Sequence, residues 1–136
     1  MSRPQAVQSV TDAGAATTGT HTETGGRNTL GLWVLAENLD PETDEITVVL
    51  EGSFDGDHWT SLRMPFPDDN IPVEVDQDDF EDPDNTGTHA AINVGRGVTA
   101  DLCRARVVDH PGGDVSVDAW VTMTSNPQGA QDYRMR

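Results

Sequence analysis

The sequence predicts an all-β fold: an antiparallel β-sandwich of about 7–8 strands, with jelly-roll or immunoglobulin-like topology. Short segments alternate between apolar and polar residues, turn-forming residues separate them, and no stretch repeats with a helical period. The 136 residues are enough for one domain. We divide them into an extended N-terminal arm or edge strand (1–29), the β-sandwich (30–125) and a polar C-terminal tail (126–136).

The element with the clearest pattern is a β-hairpin over residues 46–62. Ile46, Val48 and Leu50 alternate with less apolar residues, which is typical of a half-buried strand. Residues 52–56, GSFDG, are suited to a turn, because glycine tolerates positive φ and Ser and Asp side chains bond their own backbone. A second short strand follows the turn. The pattern therefore predicts a hairpin with a compact turn.

Two segments precede this hairpin. Residues 1–29 are rich in Thr, Gly, Ala and Ser, which indicates an arm that docks on a neighbouring subunit or a frayed terminus. Residues 30–37 are apolar on both alternation phases, with Leu32 on one face and Trp33 on the other. A strand that is covered on both sides has this pattern. We expect the core on one side, and the N-terminal arm or another subunit on the other.

A long irregular section, residues 63–87, follows the hairpin. It contains four prolines and an acidic run at 76–84, and it has room for a short edge strand at 71–75. The residues from Asp82 onward partly match the start of an EF-hand calcium loop, but its twelfth position is Asn93 instead of a bidentate glutamate. A solvated acidic loop is the better interpretation.

The last part of the chain contains three further predicted strands, at 88–94, 102–109 and 115–124. The second and third are separated by HPGGD at 110–114, which predicts a second hairpin. Both strands alternate clearly between apolar and polar positions, so each has one inward and one outward phase.

The outward phases of this second hairpin carry the candidate interface. Two registers are possible, pairing either Arg106 or Arg104 with Asp118, and both place a basic group beside Asp118 and Trp120. The cluster is either a surface ion pair with an arginine stacked on indole, or a subunit interface. The candidate interface residues of the whole chain are bulky or charged: Trp33, Arg104, Arg106, Asp118, Trp120 and Tyr133.

The charge balance limits the possible partners. The formal net charge is −16, all eight basic residues are arginine, and there is no lysine. Such a surface is typical of halophilic proteins, whose self-repulsion is screened because molar salt shortens the Debye length to about 3 Å. Nucleic-acid binding and binding to an anionic membrane both need clustered basic residues, so neither partner is expected. No apolar run approaches the ~20 residues of a membrane-spanning helix.

No pattern of catalytic residues emerges, so we predict that the protein is not an enzyme and needs no cofactor or metal. Its four histidines are far apart and lack ligand spacing. The GSFDG segment is not a nucleophile elbow, which needs Gly-x-Ser-x-Gly between a strand and a helix. Cys103 is the single cysteine, and its position in an apolar phase predicts a buried thiol.

One motif supports a family resemblance. A strand, then Gly-Ser-x-Asp-Gly-x-x-Trp at 52–59, then a strand resembles a hairpin of small β-sandwich structural proteins of tailed-virus particles. The Ala/Thr/Gly-rich first segment, the apolar strand after it and the final pair of alternating strands follow a similar order. The resemblance covers most of the chain loosely, and the acidic middle section is longer than the family leads us to expect.

Together with the halophilic composition, the resemblance implies a structural subunit of a tailed virus of halophilic archaea. We expect it in the virion, as a capsid-exterior decoration or turret protein, with a tail or baseplate component as the alternative. Its partners would be other virion proteins and its own copies, in a trimer or pentamer that matches capsid axes. A different class is a carbohydrate-binding module in which Trp33, Trp59 or Trp120 stacks on a glycan, although these residues fall on different strands and phases.

Overall fold

The computed structural model describes residues 5–64, 71–80 and 86–125. These residues form twelve β-strands and one 3₁₀ turn, Gln77–Asp79. All strand pairs are antiparallel, which confirms the predicted all-β sandwich. The strands are β1 (Gln5–Ala13), β2 (Thr17–Thr18), β3 (Thr22–Glu23), β4 (Thr29–Leu39), β5 (Thr47–Ser53), β6 (Thr60–Ser61), β7 (Arg63–Met64), β8 (Ile71–Pro72), β9 (Glu74–Asp76), β10 (Gly87–Arg96), β11 (Leu102–Asp109) and β12 (Ser116–Thr124).

The strands are arranged in two main sheets. The first sheet has the order β1-β12-β4-β10; the second has the order β2-β11-β5-β6, with β3 also on β11 and β9 also on β5. β2 and β3 pair with opposite ends of β11, and β6 and β9 pair with opposite ends of β5. If β2 and β3 are counted as one interrupted strand, and β6 and β9 as another, the two sheets have the strand order of an eight-stranded jelly roll.

The core lies between the two sheets and contains the inward phase of each long strand. Leu30, Leu32 and Val34 of β4 are fully buried, as are Val48 and Leu50 of β5. Full burial of one such side chain stabilises the fold by about 1.5–3 kcal/mol relative to exposure. The period-two pattern of β5 therefore identified its inward face correctly.

The predicted hairpin is confirmed, since β5 and β6 pair through Glu51 and Ser61. In its turn the Asp55 carboxylate accepts hydrogen bonds from the backbone N–H groups of His58 (2.9 Å) and Asp57 (2.8 Å). These bonds, together with the His58 side chain, hold the pKa of Asp55 well below its usual value. Gly56 adopts φ of 81°, which a side chain would strain.

The second predicted hairpin is wrong. β11 belongs to the second sheet, between β5 and the β2/β3 edge, whereas β12 belongs to the first sheet, between β1 and β4. The connecting loop crosses the end of the sandwich, and His110 anchors it to β1. The Gly112 N–H donates to His110 Nδ1 (2.9 Å), which places the ring proton on Nε2, and Nε2–H donates to Ala13 O (3.0 Å). A sheet-to-sheet crossing and a hairpin look alike in sequence, because both place an inward apolar phase on either side of a Gly-rich loop.

The N-terminal segment also differs from one expectation. β1 pairs edge to edge with β12, so among the described residues it extends the first sheet and does not cover the outer face of β4. The domain boundaries at 29 and 125 remain predictions. The C-terminal tail, Tyr133 and the loop at 81–85 lie outside the described residues.

Candidate interaction surface

The outer face of the first sheet carries a row of large apolar side chains. Trp120 of β12, Trp33 of β4 and Ile92 of β10 are direct register partners, so they lie side by side across three strands. The flanking rows contain Leu35 with Ala90 and, on the other side, Val94. We call this surface the apolar face; its members are Trp33, Leu35, Ala90, Ile92, Val94 and Trp120.

The two tryptophans at its centre form an aromatic pair. Their ring centroids are 4.7 Å apart and the ring planes are inclined by 34°. Trp33 remains 38% exposed. Trp33 and Trp120 lie on different strands, as expected, but the expectation that they fall on different phases is wrong, because the register of β4 and β12 places both on one face.

β10 directs its more apolar phase to the outside. Ile92 is 63% exposed and Val94 44%, whereas His89 and Ala91 point inward and are buried. The inward His89 ring packs near Phe80, with 6.2 Å between ring centroids. The largest contiguous apolar patch on a protein surface is often an interaction site.

Charged side chains lie at the two ends of the apolar face. Glu37 follows Leu35 and Ala36 on β4 at one end, and Arg96 pairs with Thr29 at the other. Both are exposed, and neither has an ion-pair partner among residues 5–64, 71–80 and 86–125.

One further acidic group, Asp118, lies on an outward position of β4, β10 or β12 between those ends, and it binds other groups of the same chain. Asp118 is only 7% exposed, and its carboxylate accepts hydrogen bonds from Gln8 Nε2 (3.0 Å) and from the Asp12 backbone N–H (2.9 Å). Asp12 has φ of 47°, so the carboxylate holds a bend in β1. The predicted pairing of Asp118 with Arg104 or Arg106 is wrong, since those arginines lie on the other sheet.

The outer face of the second sheet contains a charged cluster instead. Arg104 Nε donates to Glu51 Oε1 at 2.9 Å, and Arg106 Nη1 donates to Oε2 at 3.3 Å. Trp59 lies over the Arg104 guanidinium, 3.9 Å from ring centroid to Cζ, and its own Nε1–H donates to Gly56 O. The arginine–indole stack that the sequence predicted therefore exists, but with Trp59 instead of Trp120. We call Glu51, Trp59, Arg104 and Arg106 the charged cluster.

Trp33 and Trp120, which the sequence singles out, lie on the apolar face, and their role at an interface stays a prediction. Ile92, Val94 and Glu51 were not singled out from the sequence. A signal for the first two was present, since Ala90, Ile92 and Val94 form the more apolar phase of their strand. Glu51 has no comparable signal, because its importance depends on which strand lies beside β5.

Outside these two surfaces, we searched for a reactive thiol and for grouped metal-ligating side chains. Burial raises the pKa of the Cys103 thiol to about 12, so the thiolate nucleophile is suppressed. Within the described ranges, no three His, Cys, Asp or Glu side chains are grouped so that they could hold a metal ion. The same part of the chain contains no helix with the length and apolar character to cross a membrane.

Comparison with known proteins gives a likeness of fold. No protein-family model and no curated protein sequence matches the chain. The crystal structure of the SPBc2 prophage-derived protein YomS matches with a TM-score of 0.57 and 10% identity, covering 92% of this chain and 96% of that one. Weaker matches are the acidic stable capsid structure of Helicobacter pylori bacteriophage KHP30 (TM-score 0.35, 10% identity, 91% and 93% covered) and the nora virus structure (TM-score 0.31, 11% identity, 90% and 53% covered). At this identity, the YomS match establishes a shared fold.

Proposed function

We propose that this protein is a non-enzymatic structural subunit of a virus particle. Within that class, we propose a capsid-exterior decoration or turret protein of a tailed virus that infects halophilic archaea. The protein works by burying apolar surface against its own copies and other virion proteins. A trimer or pentamer remains the prediction for its arrangement around a capsid axis.

The apolar face is the observation that carries this proposal. In a chain of net charge −16, the outer surface of the first sheet holds a contiguous set of Trp, Ile, Val, Leu and Ala side chains. Protein interfaces have an apolar centre that is depleted of charge and enriched in Trp, bordered by a polar rim. The apolar face has this composition, with Glu37 and Arg96 at its rim.

The fold supports the viral part of the proposal. Jelly rolls recur in viral capsid domains. YomS, which shares the fold over nearly the whole of both chains, is a prophage-derived protein. The Gly-Ser-x-Asp-Gly-x-x-Trp hairpin, the motif of the family resemblance, is built as a compact turn in which Asp55 and Trp59 each bind the backbone.

The halophilic part of the proposal predicts salt-dependent stability. With 24 acidic and 8 basic residues, self-repulsion destabilises the fold in dilute buffer, and screening over about 3 Å in molar salt removes most of it. We expect Tm to rise by several degrees between dilute buffer and molar NaCl in a circular dichroism melt. An unchanged Tm would contradict the halophilic assignment and leave the virion role to be tested separately.

Immunogold labelling of purified particles tests the virion role directly. Particles are prepared in molar salt from a halophilic culture that produces the virus encoding this chain, and are labelled with antibody against the purified protein. Gold on the capsid exterior supports a decoration or turret protein, whereas gold on the tail supports the tail or baseplate alternative. Absence of the protein from purified particles, verified by mass spectrometry, rejects both.

A carbohydrate-binding module is the second candidate, because Trp33 and Trp120 are adjacent on an exposed face. However, their rings pack on each other, and Ile92, Val94 and Leu35 lie around Trp33. The Asp118 carboxylate beside Trp120 already accepts a hydrogen bond from Gln8, which leaves Thr122 as the nearby hydroxyl on this face. A glycan array probed in molar salt with the wild type and with Trp120→Ala separates the two candidates. Specific binding that is lost in the variant would favour the glycan module.

A further inference from the structure

We propose that the apolar face pairs with the same face of a second copy, about a two-fold axis that runs across the strands. The inference rests on the proposed function, because it takes the apolar face as an assembly surface. It specifies the partner, the symmetry and the residue pairs at the rim, and it assigns the apolar face to a two-fold contact in place of the trimer or pentamer contact that the resemblance implies.

The size of the face fits a small, transient interface. From Thr29 to Glu37 of β4 it extends about 26 Å at ~3.3 Å per residue, and the three strands that carry it span about 14 Å at ~4.8 Å spacing. Two copies would therefore bury about 700 Å² in total, which is in the range of weak, transient interfaces. An interface of this size is weak enough to depend on solution conditions.

The charges at the two ends select the orientation. A two-fold axis parallel to the strands would place Glu37 opposite Glu37 and Arg96 opposite Arg96 in the second copy. An axis across the strands reverses the strand direction, so Glu37 of each copy lies near Arg96 of the other. The second arrangement forms two ion pairs from groups that have no ion partner among the described residues.

The centre of the face is compatible with this axis. Glu37 and the Thr29–Arg96 pair are equally distant from Trp33 along β4, so the axis passes over the row Trp120–Trp33–Ile92. Each apolar side chain of this row then meets the equivalent row of the second copy, as an isologous interface requires. Sheets packed face to face in this way form a dry layer about 10 Å thick.

The wider charge distribution explains why the pairing needs salt. Two copies of net charge −16 repel each other over their whole surfaces, and the apolar face is where the fewest acids intervene. In molar salt that repulsion is screened beyond about 3 Å, while burial of apolar surface is retained. We therefore expect dimers in molar NaCl that dissociate on transfer to dilute buffer.

Sedimentation velocity of the full chain in molar NaCl at micromolar concentrations tests the pairing. The wild type is expected at twice the monomer mass of 14.7 kDa. The double variant Trp33→Ser/Ile92→Ser is expected to be monomeric, whereas Val108→Ser, which removes an exposed valine from the outer face of the second sheet, stays dimeric. A monomeric wild type, or a dimer that the double variant leaves intact, rejects the inference.

Charge reversal tests the axis. Arg96→Glu and Glu37→Arg each replace two attractive contacts by repulsive ones and should weaken the dimer about fivefold to tenfold at the lowest salt that supports it. The combined variant restores both pairs and should return to within about threefold of wild type. These exposed sites leave folding intact, so a circular dichroism melt serves as the control. If each single reversal has no effect, or the combined variant is the weakest, the strand-crossing axis is wrong.

The two levels of the proposal fail in different ways. A particle-bound protein that is monomeric in molar salt would overturn the two-fold pairing and leave the virion role standing. A trimer or pentamer that Trp33→Ser/Ile92→Ser dissociates would also overturn the two-fold pairing, because the same face would then be part of a ring contact. A dimer that is absent from particles would overturn the virion role and leave the pairing standing.

Discussion

The two outer faces of the sandwich differ in the side chains that they expose to solvent. On the second sheet, the charged cluster places a nearly buried carboxylate, Glu51, between two arginines and covers one of them with Trp59. On the first sheet, the apolar face leaves Trp33 and Ile92 exposed with no polar group between them. The charged face pairs its polar groups within one chain, whereas the apolar face leaves large apolar side chains exposed.

This difference indicates which face contributes to the free energy of folding and which to the free energy of association. The charged cluster satisfies its own hydrogen bonds, so its loss should lower folding stability and leave association unchanged. The apolar face gains most when a second surface covers it, so its loss should lower association and change folding little.

Replacing Glu51 by Ala should have the largest effect on folding. Removing the carboxylate leaves Arg104 and Arg106 without their acceptor, and hydrogen bonds to charged groups contribute about 1.5–3 kcal/mol in total where they are shielded from water. We expect a loss of about 1–3 kcal/mol in the free energy of unfolding, measured by urea denaturation in molar salt. Glu45→Ala is the control, because Glu45 is exposed and has no ion-pair partner within the described part of the chain, and it should change stability little. Equal losses in both variants would contradict a specific role for Glu51.

Replacing Trp59 by Leu should have an intermediate effect. The leucine keeps apolar contact but removes the ring over Arg104 and the Nε1–H bond to Gly56 O. A cation–π contact at a partly exposed site is worth about 0.5–1 kcal/mol, and we expect a loss of about 1 kcal/mol. In the Glu51→Ala background the loss should be smaller, because Arg104 is no longer held under the ring; strictly additive losses would disprove that coupling.

Replacing Arg106 by Ala should cost less again. Its contact with Glu51 is longer than that of Arg104, and half of its side chain is exposed, so solvent screens the pair. We expect about 0–1 kcal/mol. Arg104→Ala should be the more damaging of the two substitutions when both are compared in the same urea titration, and the reverse order would be inconsistent with this geometry.

Replacing Glu74 by Gln should give the smallest effect, and of opposite sign. Burial first, and then Asp76 and Asp79, raise the pKa of Glu74, so its ionised form is disfavoured in the folded state. A raised carboxyl pKa lowers stability above the folded pKa and has no effect below the unfolded value of 4.5, where both states are protonated. We expect Tm to rise by only about 1 °C at pH 7, because solvent screens this site, and the gain to vanish below about pH 4. A gain that persists in acid would assign the effect to another cause.

The sequence predicts the inward faces of β5 and β11, because burial on one side of a strand leaves a period of two in the residues themselves. Val48, Leu50 and Cys103 lie on phases that the alternation assigns to the interior, and the structure buries all three. The hairpin at residues 46–62 was predictable for a similar reason, since its turn chemistry is local: Asp55 and Gly56 act on residues within three positions.

Sheet membership could not be predicted in the same way. Whether β11 continues into the same sheet as β12 depends on where the other strands lie, and this information is spread over the whole chain. As a consequence, Arg104 and Asp118 were placed together although they lie on different sheets. The outward direction of Ile92 could not be predicted for a related reason: which phase of β10 faces the core depends on how β10 pairs with β4.

Because Cys103 is buried, its reaction with a thiol reagent can report when the two sheets separate. A thiol with pKa of about 12, shielded in the core, reacts with a maleimide only when the second sheet separates from the first. Since it is the single sulfhydryl in the chain, each alkylation event counts one such separation. The rate of maleimide labelling, measured as the salt concentration is lowered, would thus report how often the two sheets separate, and no engineered probe is needed.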